Sequence, residues 1–511
     1  MFRPRHRAVA RAASAATLPP IQNDPDLLQS FLSDAAHVPG GTAEGVVFPH
    51  DVDEVAAVVR AARRVLPVGA QSSLTGGATP RGDVVLSTRG LSKIAEPAGN
   101  MVRVGAGVPL SDLQRFLAAR DLYYPPVPTF DGAFVGGTVA TNAAGAATFK
   151  YGVTRDWVAG LTVVLADGSV LDLSRDDVRA SDEGVIEVDT SGRDLIRFNI
   201  PTYQVPALPK VSAGYFTEPH LDLVDLFVGS EGTLGVIARA TLRVKRRPLR
   251  CVALIVCSSD AEAIAVTARL RAEASPAADP LDVAAIEYMD ARSLALVEDS
   301  VFARAGVRSQ IDSATMLLVQ IETEGSPDTA LTRLQELLQT IGVHDDPLVA
   351  LPNDERTATR LFELREAVPA AVNARVGAVK ARAGDAIQKV AGDFIVPFDA
   401  LARALALYRE ALERRGLEYA IWGHISDGNL HPNVIPRSLQ DVERGRDALR
   451  EMARGVMALG GAPLAEHGVG RNALKQQFLR EMYGEAGIEQ MRAVKRALDP
   501  EGKFAAGVLF P

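Results

Sequence analysis

His424 and His431 stand seven residues apart around Asp427-Gly428-Asn429, and Glu466-His467-Gly468 follows further along the chain. Tyr419 to Trp422 is apolar and aromatic, and Leu430 to Ile435 resumes a strand-like pattern. Two such runs around an Asp-Gly-Asn turn predict a β-hairpin, which carries both histidines to one lip. Two neutral imidazoles and one carboxylate form a metal-ligand set with a position left open for substrate, and Glu466 is the nearest downstream candidate for the carboxylate. His467 is then available as a base. The alternative assigns these residues to turns and caps around a strand pair. Three of the eight histidines fall in these two short segments, a spacing that favours metal or acid–base work but leaves both readings standing.

Upstream, short strands and helices alternate. Val46 to Pro49 is followed by Asp51 to Val65, whose Val52, Val55, Val58 and Val59 fit one helical face, with Asp51 or Asp53 near its start. Leu66-Pro67-Val68 predicts a short strand opening into Gly69-Ala70-Gln71-Ser72-Ser73-Leu74-Thr75-Gly76-Gly77. A loop this rich in glycine and hydroxyl residues can aim backbone N–H groups at an anion, as a phosphate cradle requires. It matches neither GxGxxG nor the Walker pattern, and a plain turn is the competing reading.

Strands at Asp83–Ser87 and Met101–Val104 and a helix at Leu110–Ala119 precede Tyr124-Pro125-Pro126-Val127-Pro128, too proline-rich for a central strand. A second glycine-rich stretch follows: Phe134-Val135-Gly136-Gly137-Thr138-Val139-Ala140-Thr141-Asn142-Ala143-Ala144-Gly145. Its small residues permit close approach to a flat polar ligand, or simply let a helix lie on a sheet. Trp157–Leu165 and Ser169–Leu173 read as a hairpin about Asp167-Gly168. A third stretch, Leu226-Phe227-Val228-Gly229-Ser230-Glu231-Gly232-Thr233-Leu234-Gly235-Val236-Ile237, combines a buried strand with glycines. Beyond Lys245 the pattern changes to strands at Cys251–Cys257, Ala284–Tyr288 and Met316–Ile321 with helices at Ala261–Glu273 and Ala330–Ile341, a mixed α+β order. Helices at Leu439–Leu459 and Glu485–Leu498 close the chain.

A length of 511 residues predicts two or three domains. The hydrophobic share of 47%, the charged share of 23% and a mean hydropathy of +0.07 describe a soluble globular protein. A net charge of −8 without a basic stripe argues against a nucleic-acid partner, and no apolar run reaches the length of a membrane-spanning helix. Cys251 and Cys257, six residues apart in one apolar run, would lie roughly 20 Å apart along a strand and cannot bridge. They read as core thiols of a reducing compartment, hence a cytoplasmic protein, and two cysteines cannot hold an iron–sulfur cluster or a c-type haem. Met1 to Pro20 carries Arg3, Arg5, Arg7 and Arg11 and no acid. An organelle transit peptide and a disordered basic extension are both compatible, the second being the more ordinary.

Taken in order, Val68–Gly77, Gly136–Gly145, Lys210-Val211-Ser212-Ala213-Gly214-Tyr215, Gly229–Gly235, His424–Asn433 and Glu466–Gly470 resemble a flavoprotein of the vanillyl-alcohol oxidase superfamily. The branch is that of the FAD-linked D-2-hydroxyacid dehydrogenases, and the likeness runs from about Val46 onward. It implies an α+β protein: an extension over 1–40, a two-subdomain FAD-binding domain of PCMH type over 41–247, a substrate cap over 248–437, and a helical return over 438–511. Gly69 to Gly77 would cradle the pyrophosphate. Gly136, Gly137, Thr138, Thr141, Asn142, Ala144 and Gly145, with Pro128, would line the isoalloxazine and ribityl chain. Glu231, Gly232, Gly235, Val236 and Ile237 would sit against the adenine end. No histidine falls in the glycine-rich stretches, so FAD is expected to be non-covalent.

In the cap the resemblance assigns the substrate carboxylate to Arg365 and Lys389. A guanidinium can grip a carboxylate through two parallel hydrogen bonds, which makes Arg365 the stronger of the two. The substrate hydroxyl would meet a divalent metal, zinc or manganese, on His424, His431 and Glu466. His467 would take its proton, with Asn433 as a hydrogen-bond partner, while hydride passes from C2 to flavin N5. Electrons would leave to a quinone, a cytochrome, an electron-transfer flavoprotein or oxygen, and a homodimer is allowed.

The chain departs from the family at Ser426, where glycine is usual, at Ala505-Ala506, where Asn-Pro is frequent, and between Thr323 and Asp393, which matches loosely. Few basic residues in the cap favour a monocarboxylate such as D-lactate over glycolate or D-2-hydroxyglutarate as the assigned substrate. The competing functions are a flavin-dependent alkyl transferase of the same superfamily and a non-catalytic flavin-binding subunit.

Overall fold

The computed structural model describes residues 5–126, 128–190, 195–274, 281–307, 314–323, 326–343, 345–384 and 386–511; Arg3 and Val127 lie outside them. The chain forms two units. The first comprises Met1–Ala144, Gly152–Arg246 and Leu464–Pro511, and the second Gly145–Tyr151 and Arg247–Pro463. Among the described residues no helix is long and apolar enough to cross a membrane.

Among the described residues the first unit contains four small sheets, the smallest pairing Leu122–Tyr123 with Lys245–Arg246. In one, Arg81–Ser87 lies between Thr42–Val47 and Val65–Val68, all parallel. Parallel neighbours need a crossover, and the helix Val52–Ala61 supplies it, capped by the Asp51 side chain accepting the Glu54 N–H. Val55, Ala56, Val58 and Val59 on its inner face pack with Val47, Val65, Leu86, Val164, Val236 and Phe504. The second sheet is antiparallel, in the order Met101–Gly105, Val236–Arg243, Val158–Val164, Val170–Ser174. Its last two strands form the hairpin expected about Asp167-Gly168, with Val164 opposite Val170.

The third sheet corrects the reading of the N-terminal extension as disordered. Arg7–Val9 pairs in parallel with Val185–Asp189 while Ala8 and Ala10 are buried. Arg7 pairs with Glu187, and Arg11 with Asp172. The third glycine-rich stretch opens at the end of the helix Leu223–Phe227, and its buried strand is the start of Val236–Arg243. Asp222, outside the apolar run, caps that helix by accepting the Val224 N–H.

The return to the first unit begins at Leu464, and the helix Leu439–Ala458 belongs to the second. The long helix Ala473–Leu498 breaks at Gly484, whose φ is 69°. The chain then rejoins the parallel sheet: Val65 donates to the Lys503 carbonyl at 2.9 Å, and Ala505 donates to the Val65 carbonyl at 3.0 Å. The buried ammonium of Lys503 is held by the carbonyls of Val59 and Ala166.

The second unit is built on one sheet in the order Leu348–Ala350, Leu249–Cys257, Thr315–Thr323, Val283–Met289, Tyr419–His424, Asn429–Val434, Val390–Ala391, with Phe394–Ile395 also on Asn429–Val434. Cys251 and Cys257 are free and buried in one strand, as their spacing implies. A 29-residue helix, Glu355–Ala383, buries Leu361, Leu364, Arg365, Val368, Val372 and Val376. The excursion Gly145–Tyr151 is tied down by Glu322, which is 1% exposed and accepts from Lys150, Tyr151 and Arg250.

The expected histidine hairpin is present. Tyr419–His424 and Asn429–Val434 pair antiparallel with Trp422 opposite His431 and His424 opposite Asn429. Its turn is a short 3-10 segment over Ile425–Asp427 closed by Gly428 at φ 84°. A Cβ on Gly428 would lie 2.1 Å from the Val396 carbonyl oxygen. Gly428→Ala therefore adds both left-handed strain and a backbone clash, and should cost about 3 kcal/mol of stability, read as a lower midpoint in urea unfolding.

Candidate functional site

The glycine-rich stretches meet in the first unit. A cleft of about 290 Å³ runs between the loop after Val65–Val68, the helix Val135–Ala140 and the turn at Glu231. Val68, Gly69, Ala70, Gln71, Ser72, Ser73, Leu74 and Gly77 line one side; Pro128, Gly136, Gly137, Thr138, Thr141 and Ala144 line another; Glu231, Gly232, Gly235 and Ile237 complete it. Glu466 and His467 lie on the same wall. Gly137 faces open space, so a Cβ there meets nothing within 4 Å, whereas a Cβ on Gly136 would strike Ala106 at 2.6 Å. One glycine thus keeps the cleft open while its neighbour lets the helix lie on the sheet.

Three residues other than glycine in these stretches adopt left-handed backbone: Gln71 at φ 57°, Asn142 at 48° and Glu231 at 51°. Such conformations cost on the order of 1 kcal/mol each and collect where the surroundings impose them. The Gln71 amide donates to the Ser30 and Ser33 carbonyls, and Asn142 Oδ1 accepts the Arg155 N–H. Arg471, on the returning segment, donates through Nη1 to the carbonyls of Gly76, Gly77 and Thr79 and through Nε to that of Ala506. Drawing those carbonyls to one guanidinium leaves the opposite edge of the loop richer in N–H groups, the polarity an anion needs.

His467 belongs to a tightly held segment of the same unit. Lys210, fully buried, pairs with Glu466 at 2.8 Å, and His467 Nε2 lies 3.4 Å from Glu466 Oε1. Glu231 accepts from the N–H groups of Val469 and Gly470, each at 2.8 Å. Burial pushes the Glu231 carboxyl up to about 7, against the opposing pull of those two bonds and of Lys475.

In the second unit the hairpin turns His424 and His431 to one face, because Trp422, opposite His431, is two residues from His424. The two rings stand 5.8 Å apart, nearly perpendicular. Across the sheet Glu287 pairs in register with His424 and bonds its Nδ1 at 2.9 Å. A carboxylate only accepts, so Nδ1 is the donor in this bond. Glu287 also engages Nε and Nη2 of Arg365 at 3.0 Å, both side chains being buried. Burial alone would raise Glu287; Arg365 and His424 overcome it and hold the carboxyl well below its usual range.

Asp393 lies 3.8 Å from His431 Nδ1. Two imidazoles and a carboxylate within this unit suit zinc or manganese in donor type. Asn433 donates to the His431 carbonyl at 2.7 Å, while its buried Oδ1 has no hydrogen-bond partner among the described residues. Lys389 bonds Asn373 Oδ1 at 3.0 Å and stands over the Trp422 ring. The departure at Ser426 is structural: its Oγ accepts the Ile286 N–H.

Two family descriptions match the chain: the FAD binding domain over residues 43–174, and the C-terminal domain of FAD linked oxidases over residues 247–509. The chain belongs to the FAD-linked oxidases. It is 28% identical to the glycolate oxidase subunit GlcD of Bacillus subtilis, covering 91% of this chain and 89% of that one. It is 27% identical to the D-2-hydroxyglutarate dehydrogenase of Stutzerimonas stutzeri, covering 96% of each. It is 28% identical to the D-lactate dehydrogenase of Archaeoglobus fulgidus, covering 90% of each. A solved structure of alkyldihydroxyacetonephosphate synthase superposes with a TM-score of 0.62 at 13% identity, covering 99% of this chain and 89% of that one, a likeness of fold.

This FAD-dependent oxidoreductase places five of the expected cofactor contacts away from the cleft wall. Thr75 and Gly76 turn their carbonyls to the Arg471 backbone and side chain, and Asn142 binds Arg155. Val236 points into the core, and Gly145 falls in the second unit. The oxidase adds Phe130 and Phe134 to the wall, which no glycine pattern marks. Glu287 and Asp393 carry no role in the sequence pattern, since nothing local ties them to the hairpin. Gly137→Leu should fold with an unchanged far-UV spectrum yet bind FAD on the order of 100-fold more weakly, measured by reconstitution of the apoprotein, because its side chain would fill the cleft.

Proposed function

We propose that this oxidase oxidises a small D-2-hydroxyacid to the 2-oxoacid and passes the electrons to an external acceptor, with D-lactate favoured over glycolate and D-2-hydroxyglutarate. The observation that carries the reading is the face of the second unit where His424, His431, Asn433, Lys389 and the Arg365–Glu287 pair lie near one another. FAD, held by the cleft residues, would supply the two-electron acceptor, and a zinc or manganese ion, held by His424 and His431 with Asp393, would supply positive charge that acidifies a hydroxyl.

The chain's own residues then have distinct tasks. Lys389 and the remaining N–H edge of Arg365 bind the substrate carboxylate. Asn433 offers its buried Oδ1 to the substrate, and His467 takes the hydroxyl proton. The charge count favours a monocarboxylate. Glu287 already neutralises Arg365, whereas Lys389 is paired with the neutral Asn373, so one carboxylate balances the set. The relatives named for glycolate, D-lactate and D-2-hydroxyglutarate share a hydroxyl next to a carboxylate, which supports the class of substrate. The alkyl transferase reading rests on fold likeness alone. A reducing, cytoplasmic setting, a homodimer, and a quinone, cytochrome, electron-transfer flavoprotein or oxygen as acceptor complete the proposal.

Anaerobic titration of the purified yellow protein with D-lactate, L-lactate, glycolate and D-2-hydroxyglutarate tests it: D-lactate should bleach the flavin band and L-lactate should not. Bleaching by none of them, with dithionite still effective, would sink the reading. Chelation should abolish turnover and manganese or zinc restore it; full activity in protein free of metal by elemental analysis removes the metal. His467→Ala should retain FAD while substrate-driven reduction slows by about 100-fold or more, as loss of a positioned base entails.

A further inference from the structure

The turn that carries Glu231 is built almost wholly in left-handed backbone. Gly229, Glu231 and Gly232 have φ values of 84°, 51° and 71°. The first and last are glycine, the residue such backbone favours, and the middle one is a glutamate. Its side chain must therefore contribute something that glycine at this position would not.

That contribution is visible in its contacts. The two carboxylate oxygens are divided between consecutive amides, Oε1 on Val469 and Oε2 on Gly470. The fit is close at the two glycines that flank Val469. A Cβ on Gly468, at φ 72°, would lie 3.0 Å from Glu231 Oε1. A Cβ on Gly470, at φ 57°, would lie 2.3 Å from Thr75 Oγ1 on the other side. The Arg471 N–H completes the sandwich by donating to the Thr75 carbonyl at 3.0 Å. The segment is thus held between the first and third glycine-rich stretches, directly after His467, which lines the same cleft as Glu231.

We infer that Glu231 is a positioning residue for His467: it fixes the backbone that follows the histidine and so sets where the imidazole stands along the cleft. The assignment of His467 as the base rests on the function proposed above; the grip on Val469 and Gly470 does not.

The test compares wild-type holoenzyme with Glu231→Ala, which removes both acceptors, and Glu231→Gln, which keeps one. Amide hydrogen exchange of the peptide over residues 466–472 should accelerate at least about ten-fold in Glu231→Ala and less in Glu231→Gln. Reduction rates are read on the FAD-loaded protein and normalised to the flavin that dithionite reduces. Substrate-driven flavin reduction should slow about 100-fold at saturation, with the half-saturating substrate concentration altered less than about three-fold, the pattern of a displaced group rather than a lost binding contact. Unchanged exchange in Glu231→Ala overturns the inference, as does accelerated exchange with wild-type reduction rates or a loss of FAD without faster exchange. If Glu231→Ala does not fold, Glu231→Gln decides by the same criteria. If no hydroxyacid reduces the wild type, the proposed function fails, and the exchange data alone decide whether Glu231 holds the segment.

Discussion

The pairing of Val283–Met289 with Tyr419–His424 is the constraint on which the chemistry of the second unit depends. Its register sets Glu287 opposite His424, so a carboxylate buried in a sheet meets an imidazole on one side and a guanidinium on the other. A lone buried carboxylate would be costly, and so would a lone buried arginine; together with the histidine they satisfy one another. A shift of one residue would turn every side chain of the strand to the opposite face and leave both charges stranded. The sheet therefore fixes the histidine's Nδ1 as a donor as well as the place of the ring.

The first unit solves a different problem: presenting backbone, rather than side chains, to a ligand. Gln71, Asn142 and Glu231 hold left-handed conformations that their own side chains help to lock through hydrogen bonds to neighbouring backbone. Arg471 gathers the carbonyls of the first glycine-rich loop from behind. Strain in one stretch is thus balanced by bonds from another, which ties the returning segment to the cleft it helps to line.

Much of this was legible in the residues. Asp427-Gly428-Asn429 between two apolar runs marks a hairpin because the turn needs a left-handed glycine, and the alternation of short strands with the helix after Asp51 follows from spacing, while the parallel pairing of those strands does not. The helix Leu223–Phe227 left no mark in the third glycine-rich stretch, because its Asp222 cap lies outside that stretch. The strand Arg7–Val9 was misread because three residues flanked by arginines resemble a basic tail; its pairing partner is some 180 residues away. Thr75 and Gly76 have the composition of a phosphate loop, but only the position of Arg471 reveals which way their carbonyls point. Glu287 left no trace for a similar reason: a sheet register between strands 137 residues apart has no local signature.

The return of residues 503–505 to Val65 bears on how the protein is made. The strand Val65–Val68 runs directly into the first glycine-rich loop, yet among the described residues Val65 on its outer edge is bonded by chain emerging more than four hundred residues later. During synthesis that edge stays open while the whole second unit is being produced, and the buried lysine that plugs the crossover helix is likewise still to come. The cleft therefore matures last. A nascent chain carries its nucleotide-binding sequence from early on, but completes the scaffold around it only after residues 503–505 have been made.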